Sequence, residues 1–285
     1  MKQLTIISGK GGTGKTTLTA AFAHLATNLV IADCDVDAAD LHLILTPTMI
    51  KEELFYGGRA PSIDSERCTQ CGLCEETCRF GAIRAFQVDP ISCEGCGVCA
   101  YICPEKAITM HPKLSGYWFI SDTREGPLVH ARLGIAEENS GKLVSMVRQQ
   151  AKELAERENM DLILIDGPPG IGCPVIASIS GADLVMAVTE PTLSGIHDLK
   201  RILEVAHHFN IPSAVCINKF TINLDNTLKI EEYCDEQEIE VVGRIPFDPS
   251  VTQAMIRALS VVEYPCGKVS EEVGKIWARI EEKLQ

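Results

Sequence analysis

No run of about 18 apolar residues occurs in this 285-residue chain, so no segment is expected to span a bilayer. No secretory signal is expected either, because the N-terminus enters the apolar strand Leu4-Thr5-Ile6-Ile7 and then a glycine-rich loop. Basic residues are in deficit: 26 Lys and Arg against 39 Asp and Glu give a net charge of −13. Such a surface repels phosphate, which opposes non-specific binding of DNA or RNA. Val269, Val273, Ile276, Trp277, Ile280 and Leu284 recur at helical spacing near the C-terminus. The opposite face mixes Glu with Lys instead of being basic, so this helix is expected to dock on the protein's own core and not on a membrane.

Cysteine is present in excess. Of thirteen, eight fall within 36 residues, as Cys68, Cys71, Cys74 and Cys78 and again as Cys93, Cys96, Cys99 and Cys103. The offset is 25 residues throughout, and Gly81-Ala82-Ile83 is answered by Lys106-Ala107-Ile108. Metal-ligand spacing without an export signal points to metal instead of disulfides, and to a reducing compartment, most simply the cytoplasm. Each unit reads C-x2-C-x2-C-x3-C, with Pro104 after the second and Arg79 in the matching place of the first. The run resembles that of bacterial two-cluster ferredoxins. The resemblance implies one [4Fe–4S] cluster on Cys68, Cys71, Cys74 and Cys103, and a second on Cys93, Cys96, Cys99 and Cys78. Gly72, Gly95 and Gly97 leave room for backbone N–H groups near the sulfides. Zinc is disfavoured, since it prefers two separated ligand pairs to tight triplets with a lone fourth. The module is expected as an α+β insertion at 57–111. Between 61 and 111 it holds seven acidic and four basic residues, a balance that suits a basic redox partner but equally a merely soluble surface.

A nucleotide site is written at the start of the chain. The strand Leu4–Ser8 runs into Gly9-Lys10-Gly11-Gly12-Thr13-Gly14-Lys15-Thr16-Thr17 and then a helical pattern from Leu18 to Ala26. This strand–loop–helix context fits G-x4-G-K-[ST]. Gly11, Gly12, Thr13, Gly14 and Thr17 turn backbone N–H groups toward an anion, Lys15 reaches the β- and γ-phosphates, and Thr16 binds Mg²⁺. The strand Leu29–Ala32 delivers Asp33, Asp35 and Asp37, and Asp161–Asp166 leads into Gly167-Pro168-Pro169-Gly170-Ile171-Gly172-Cys173. Carboxylates at strand ends beside a phosphate loop hold Mg²⁺ or orient the attacking water. Later strands are expected at 183–188, 213–217 and 240–245, with helices at about 195–208 and 225–237, giving an α/β P-loop NTPase with a mostly parallel sheet flanked by helices.

With Lys10, the loop resembles the deviant Walker A loop of the MinD/ParA/Mrp ATPases, a family that includes the nitrogenase iron protein. The resemblance implies that Lys10 crosses a dimer interface to the partner's nucleotide and that ATP favours a homodimer. It makes Asp35 the catalytic switch residue, with Asp33 the first switch aspartate, places Asp166 near Mg²⁺, and lets Gly170 offer a backbone N–H to the γ-phosphate. Asn218-Lys219 and Pro246-Phe247-Asp248 resemble the base-side segments. Thr221 stands where a guanine-reading aspartate belongs, so adenine is favoured. Asp40-Leu41 replaces the family's usual Asn-Leu.

The whole chain looks like MinD-superfamily ATPases with an inserted ferredoxin, the ATPase being 1–56 and 112–285. That arrangement implies ATP-gated electron transfer through two clusters to a redox or cofactor-assembly partner, in iron–sulfur or metallocofactor assembly. The alternatives are a cluster carrier of Mrp type, for which no C-x-x-C follows residue 173, and a MinD/ParA-like positioning ATPase. Cys173 sits where the nitrogenase iron protein has a ligand, yet is read as a packed or weakly reactive thiol; Cys34, Cys216, Cys234 and Cys266 look scattered.

Overall fold

The computed structural model describes every residue except 135, 136, 138 and 139. In chain order the elements are β1 Lys2–Ser8, α1 Lys15–Leu25, β2 Leu29–Asp33, α2 Leu41–Leu45, β3 Thr48–Ile63, α3 Leu73–Thr77, β4 Ile83–Arg84 and β5 Gln87–Val88. They continue as α4 Val98–Ile102, β6 Ile108–Thr123, β7 Gly126–Leu133, α5 Ser140–Glu158, β8 Leu162–Pro169, α6 Cys173–Ile179, β9 Leu184–Thr189 and α7 Leu193–His208. The last are β10 Ser213–Asn218, α8 Leu224–Glu236, β11 Glu240–Ile245, α9 Ser250–Ile256 and α10 Lys268–Leu284.

Two compact units divide the chain. The first is Met1–Glu52, Trp118–Arg132 and Ser140–Gln285; the second is Glu53–Tyr117 with Leu133–Asn139. The second unit therefore reaches beyond the expected 57–111, because the 16-residue strands β3 and β6 carry its boundaries outward to 53 and 117.

The first unit is built on strands in the order β11-β10-β9-β1-β8-β2-β7. All pairings from β11 to β7 are parallel. Buried on both faces, these strands are nearly continuous apolar runs. Their alternation still sorts them. Leu184, Met186 and Val188 join Phe22 of α1 and the α10 stripe in one core, and Val185 and Ala187 join α6, α7 and α8 in the other. The C-terminal stripe thus docks on the core, Trp277 stacking obliquely on Phe22 at 5.1 Å. No helix among the described residues is long and apolar enough to cross a membrane.

An arginine outside the sheet's central strands ties several loops of this unit together. Arg124 grips Glu263 with two bonds of 2.8 and 2.9 Å and donates to the carbonyls of Ile44 and Ala258. Burial raises the Glu263 carboxyl, but hydrogen bonds from Arg124 and Ser260 overcome this and hold it at about 2. A depressed carboxylate contributes stability that is present above its unfolded pKa and lost as pH falls through the folded one. Replacing Arg124 with Ala is expected to lower the unfolding free energy by about 2 kcal/mol near neutral pH. In urea titrations at stepped pH, the deficit should shrink between about pH 4.3 and pH 2.

The second unit repeats its backbone as well as its sequence. Helices α3 and α4 start and stop 25 residues apart. Positive φ recurs at Gln70 and Gly95, Gly72 and Gly97, and Gly81 and Lys106. Its small core is Cys74, Ile83 and Ile108, with Ile63, Val88 and the thiols Cys78, Cys99 and Cys103 against it. A core this small is marginal without a staple.

Candidate functional site

The phosphate loop leaves β1 and enters α1 through Gly12 and Gly14, both in the left-handed region at φ 79° and 97°. A side chain at Gly14 would also strike Asn218 Nδ2 at 2.3 Å. No side chain caps α1, so its first-turn N–H groups are open to an anion. Gly11, Gly12, Gly14, Lys15, Thr16, Thr17, Asp35, Asn218, Pro246 and Asp248 line one cavity of about 690 Å³, together with Asp40, Pro169, Phe247 and apolar residues such as Val251 and Met255. Lys10, Thr13, Asp33 and Asp166 are not among its lining residues.

Asp33 and Asp166 lie below that surface. Asp33 ends β2, and Asp166 is its direct register partner within β8; both are fully buried. Burial, then repulsion from Asp166, pushes the Asp33 carboxyl well up; burial likewise raises Asp166, against the pull of Lys15, Thr16 and Thr19. One oxygen of each, Oδ2, has no hydrogen-bond partner, nor does the buried Thr13 hydroxyl. Two unpartnered carboxylate oxygens beside a Thr16 hydroxyl suit a hard divalent cation, which would reverse the repulsion. Asp35 stands further out, 3.9 Å from Lys15 Nζ. Burial lifts its carboxyl to about 6, with Lys15 opposing.

Other expected residues are engaged elsewhere. Lys10 Nζ sits 2.6 Å from Glu190 Oε1 and donates to Ser194 Oγ. Glu190 also meets Lys219 at 3.3 Å, and Lys219 donates to the Gly12 carbonyl. Asn218 gives its amide to the Thr13 carbonyl and accepts from the Lys219 N–H, so it staples the loop. Asp248 accepts from the Ser250 N–H. Gly170 does not present its N–H to the cavity; it donates to the Ser8 carbonyl at 2.9 Å, next to the Ser8–Pro169 pairing of β1 and β8, at a φ of 96° that glycine adopts without strain. Cys173 is exposed at the start of α6, which removes the packed alternative of the two expected for it, whereas Cys34, Cys216, Cys234 and Cys266 are all buried.

Thr19 and Glu190 escaped the sequence reading. A threonine on the apolar side of α1 was a signal that could have found the first. Nothing in the sequence pairs Glu190 with Lys10, which lies 180 residues away.

The eight repeat thiols fall into two hollows. One is lined by Cys68, Cys71, Cys74 and Cys103, with Phe86, Pro104 and Ile108. The other is lined by Cys78, Cys93, Cys96 and Cys99, with Pro61, Phe80 and Ile83. Each set takes three thiols from one run and the fourth from the other. The second hollow has about 320 Å³ of room and the first about 20 Å³, so the first must widen to take a cluster. Cys103 Sγ accepts the Ala107 N–H at 3.3 Å. Among the described residues, the one trio of His, Cys, Asp or Glu ligand atoms within 4.8 Å of one another is His24, Glu125 and Glu263, whose carboxylates Arg124 already holds. No three repeat thiols approach that closely. A single tetrahedral zinc with 2.3 Å bonds requires sulfurs about 3.8 Å apart. A cubane seats each thiolate on a different iron and holds them wider. Four thiols in each hollow are the donor chemistry that a cubane takes.

A glycine loop joining a central parallel strand to a helix, over two buried strand-end carboxylates, defines the fold and site of a P-loop NTPase. More narrowly, the chain belongs to the CbiA family, the CobQ/CobB/MinD/ParA nucleotide binding domain, whose match spans residues 4–261, and it is an ATPase. It is 33% identical over 288 residues to an uncharacterized protein of Methanocaldococcus jannaschii, covering 98% of this chain and 96% of that one. An iron-sulfur cluster carrier protein of the same organism is 26% identical over 99% of this chain and 85% of its own length. The septum site-determining protein MinD of Pyrococcus horikoshii OT3, solved with Mg-ADP, superposes with a TM-score of 0.60 at 19% identity, covering 99% of this chain and 96% of that one. At that identity the likeness is one of fold.

Proposed function

We propose that this ATPase couples a nucleotide-driven dimer switch to electron transfer through two [4Fe–4S] clusters in its second unit, serving iron–sulfur or metallocofactor assembly in a reducing compartment. The observation that carries the reading is the interleaving of the eight thiols into two hollows, three from one run and one from the other. Cys68, Cys71, Cys74 and Cys103 would hold one cluster, and Cys93, Cys96, Cys99 and Cys78 the other. When bound, such clusters accept and donate single electrons.

In the first unit, Lys15 and the α1 N–H groups hold the phosphates, Thr16 and Asp166 with Asp33 hold Mg²⁺, and Asp35 orients the attacking water. The ends of β2 and β8 carry the Asp35 loop and the 170–172 turn, so the same nucleotide biases both. Anaerobic electron paramagnetic resonance and potentiometry with and without ATP test the coupling. Cluster potential, partner affinity and electron-transfer rate all unchanged by ATP would sink it.

In its present conformation Lys10 is held in cis. To serve a partner's nucleotide it must leave Glu190, a contact between side chains 34% and 12% exposed. A partly exposed ion pair is worth about 1 kcal/mol. Glu190→Gln is therefore expected to tighten ATP-dependent dimerisation about fivefold by sedimentation velocity. Unchanged or weaker dimerisation would show that Glu190 does not restrain Lys10.

The cluster-carrier relative favours a second reading, in which the clusters are cargo. The exposure of Cys71 and Cys96, the second thiol of each run, is compatible with release. Rapid cluster transfer to an apo-ferredoxin, faster with ATP, would select the carrier; stable retention selects the electron-transfer reading.

A further inference from the structure

Thr19 lies in the second turn of α1, fully buried and outside the G-x4-G-K-[ST] run. Its hydroxyl oxygen is 3.0 Å from the Lys15 carbonyl and 3.0 Å from Asp166 Oδ1. A hydroxyl carries one proton, so it can serve only one acceptor fully. The Lys15 bond is the ordinary back-bond of a helical threonine. The bond to a carboxylate is charge-assisted and about twice as strong, and its acceptor has no access to water. The proton therefore belongs to Asp166. That bond occupies Oδ1, while Oδ2 stays buried and unpartnered.

We propose that Thr19 is the positioning residue of the magnesium side of this site: its hydroxyl fixes the Asp166 carboxylate so that Oδ2 alone faces the ion or its water. The proposal rests on the reading of Asp166 as a magnesium-side residue. Without the hydroxyl, the carboxylate loses the hydrogen bond at Oδ1 that holds its orientation, and both oxygens are free to turn toward the ion. Groups that orient a metal's ligands typically carry 10–100-fold in metal affinity.

The test is a magnesium titration of mant-ADP binding to the full-length protein, with parallel binding in EDTA and circular-dichroism melts. Thr19→Val keeps the shape and removes the proton; Thr19→Ser restores it; Asp166→Asn tests the underlying reading separately. Expected is at least a tenfold rise in the Mg²⁺ needed by Thr19→Val for half-maximal binding, with EDTA binding within about twofold of the parent and Thr19→Ser close to the parent. The proposal is overturned if Thr19→Val titrates like the parent while Asp166→Asn does not, for the hydroxyl then serves only the helix. It is overturned equally if Thr19→Ser loses as much as Thr19→Val, or if EDTA binding falls in step. An Asp166→Asn protein that titrates normally defeats the magnesium-side reading itself. Should Thr19→Val fail to fold, Thr19→Ala gives the same comparison without the added methyl.

Discussion

Anaerobically reconstituted protein is expected to bind about eight irons and eight sulfides per chain, and Cys103→Ala about four. The decisive feature is which four remain. Cys103 belongs by sequence to the second run, but by position to the hollow of Cys68, Cys71 and Cys74. Its removal should therefore empty that hollow and leave the cluster of Cys78, Cys93, Cys96 and Cys99 intact. Cys78→Ala should do the reverse. Iron and sulfide analysis, with electron paramagnetic resonance of the reduced variants, reads the result. Paired clusters in the parent broaden each other's signal, and each variant should show a simple, uncoupled one. Two zincs per chain, or loss of the cluster nearest in sequence, would contradict the interleaved assignment. Loading should also stabilise the second unit, whose own apolar core is three buried residues with a few partners.

The second large effect is expected at Asp35. Asp35→Asn should slow ATP hydrolysis by about 10²–10⁴-fold while leaving Mg·ATP binding within a few-fold. The separation follows from depth. Asp33 and Asp166 are sealed beneath the loop and lie off the cavity, where their unpartnered oxygens suit a cation. Asp35 lines the cavity itself and faces Lys15. Its carboxyl, lifted to about 6 by burial, is near the range suited to proton handling at neutral pH. Steady-state hydrolysis with equilibrium nucleotide binding measures both quantities on one preparation. A kcat that falls less than tenfold would remove Asp35 from the water-orienting role, and equal losses in binding and turnover would place it with the phosphate-holding groups instead.

Much of this protein was legible without coordinates, for identifiable reasons. The glycine loop is read locally, because residues 9–17 need only their own backbone angles and the helix that follows. The strands at 4–8, 29–32 and 183–188 are apolar runs of strand length between loop signals, and the folded strands overlap them closely. The cysteine repeat is periodic in one dimension, and its backbone follows at the same 25-residue step. The assignment of Cys78 to the second run is what the resemblance to two-cluster ferredoxins implies, the fourth cysteine of each run serving the other cluster.

Only the tertiary structure decided the rest, because those features join residues distant in sequence. The boundaries of the second unit at 53 and 117 fall inside two long strands, and the turn-type residues near them, Gly57-Gly58 and Ser115-Gly116, lie in unbroken strand. The restraint of Lys10 by Glu190, the stapling of the loop by Asn218 and Lys219, and the Thr19 bond to Asp166 span 180, 205, 207 and 147 residues respectively. Sequence nominated candidate groups for phosphate and metal, because that chemistry restricts residue type. It could not name the groups that aim them, because a neighbour a few ångströms away can be supplied from anywhere along the folded chain.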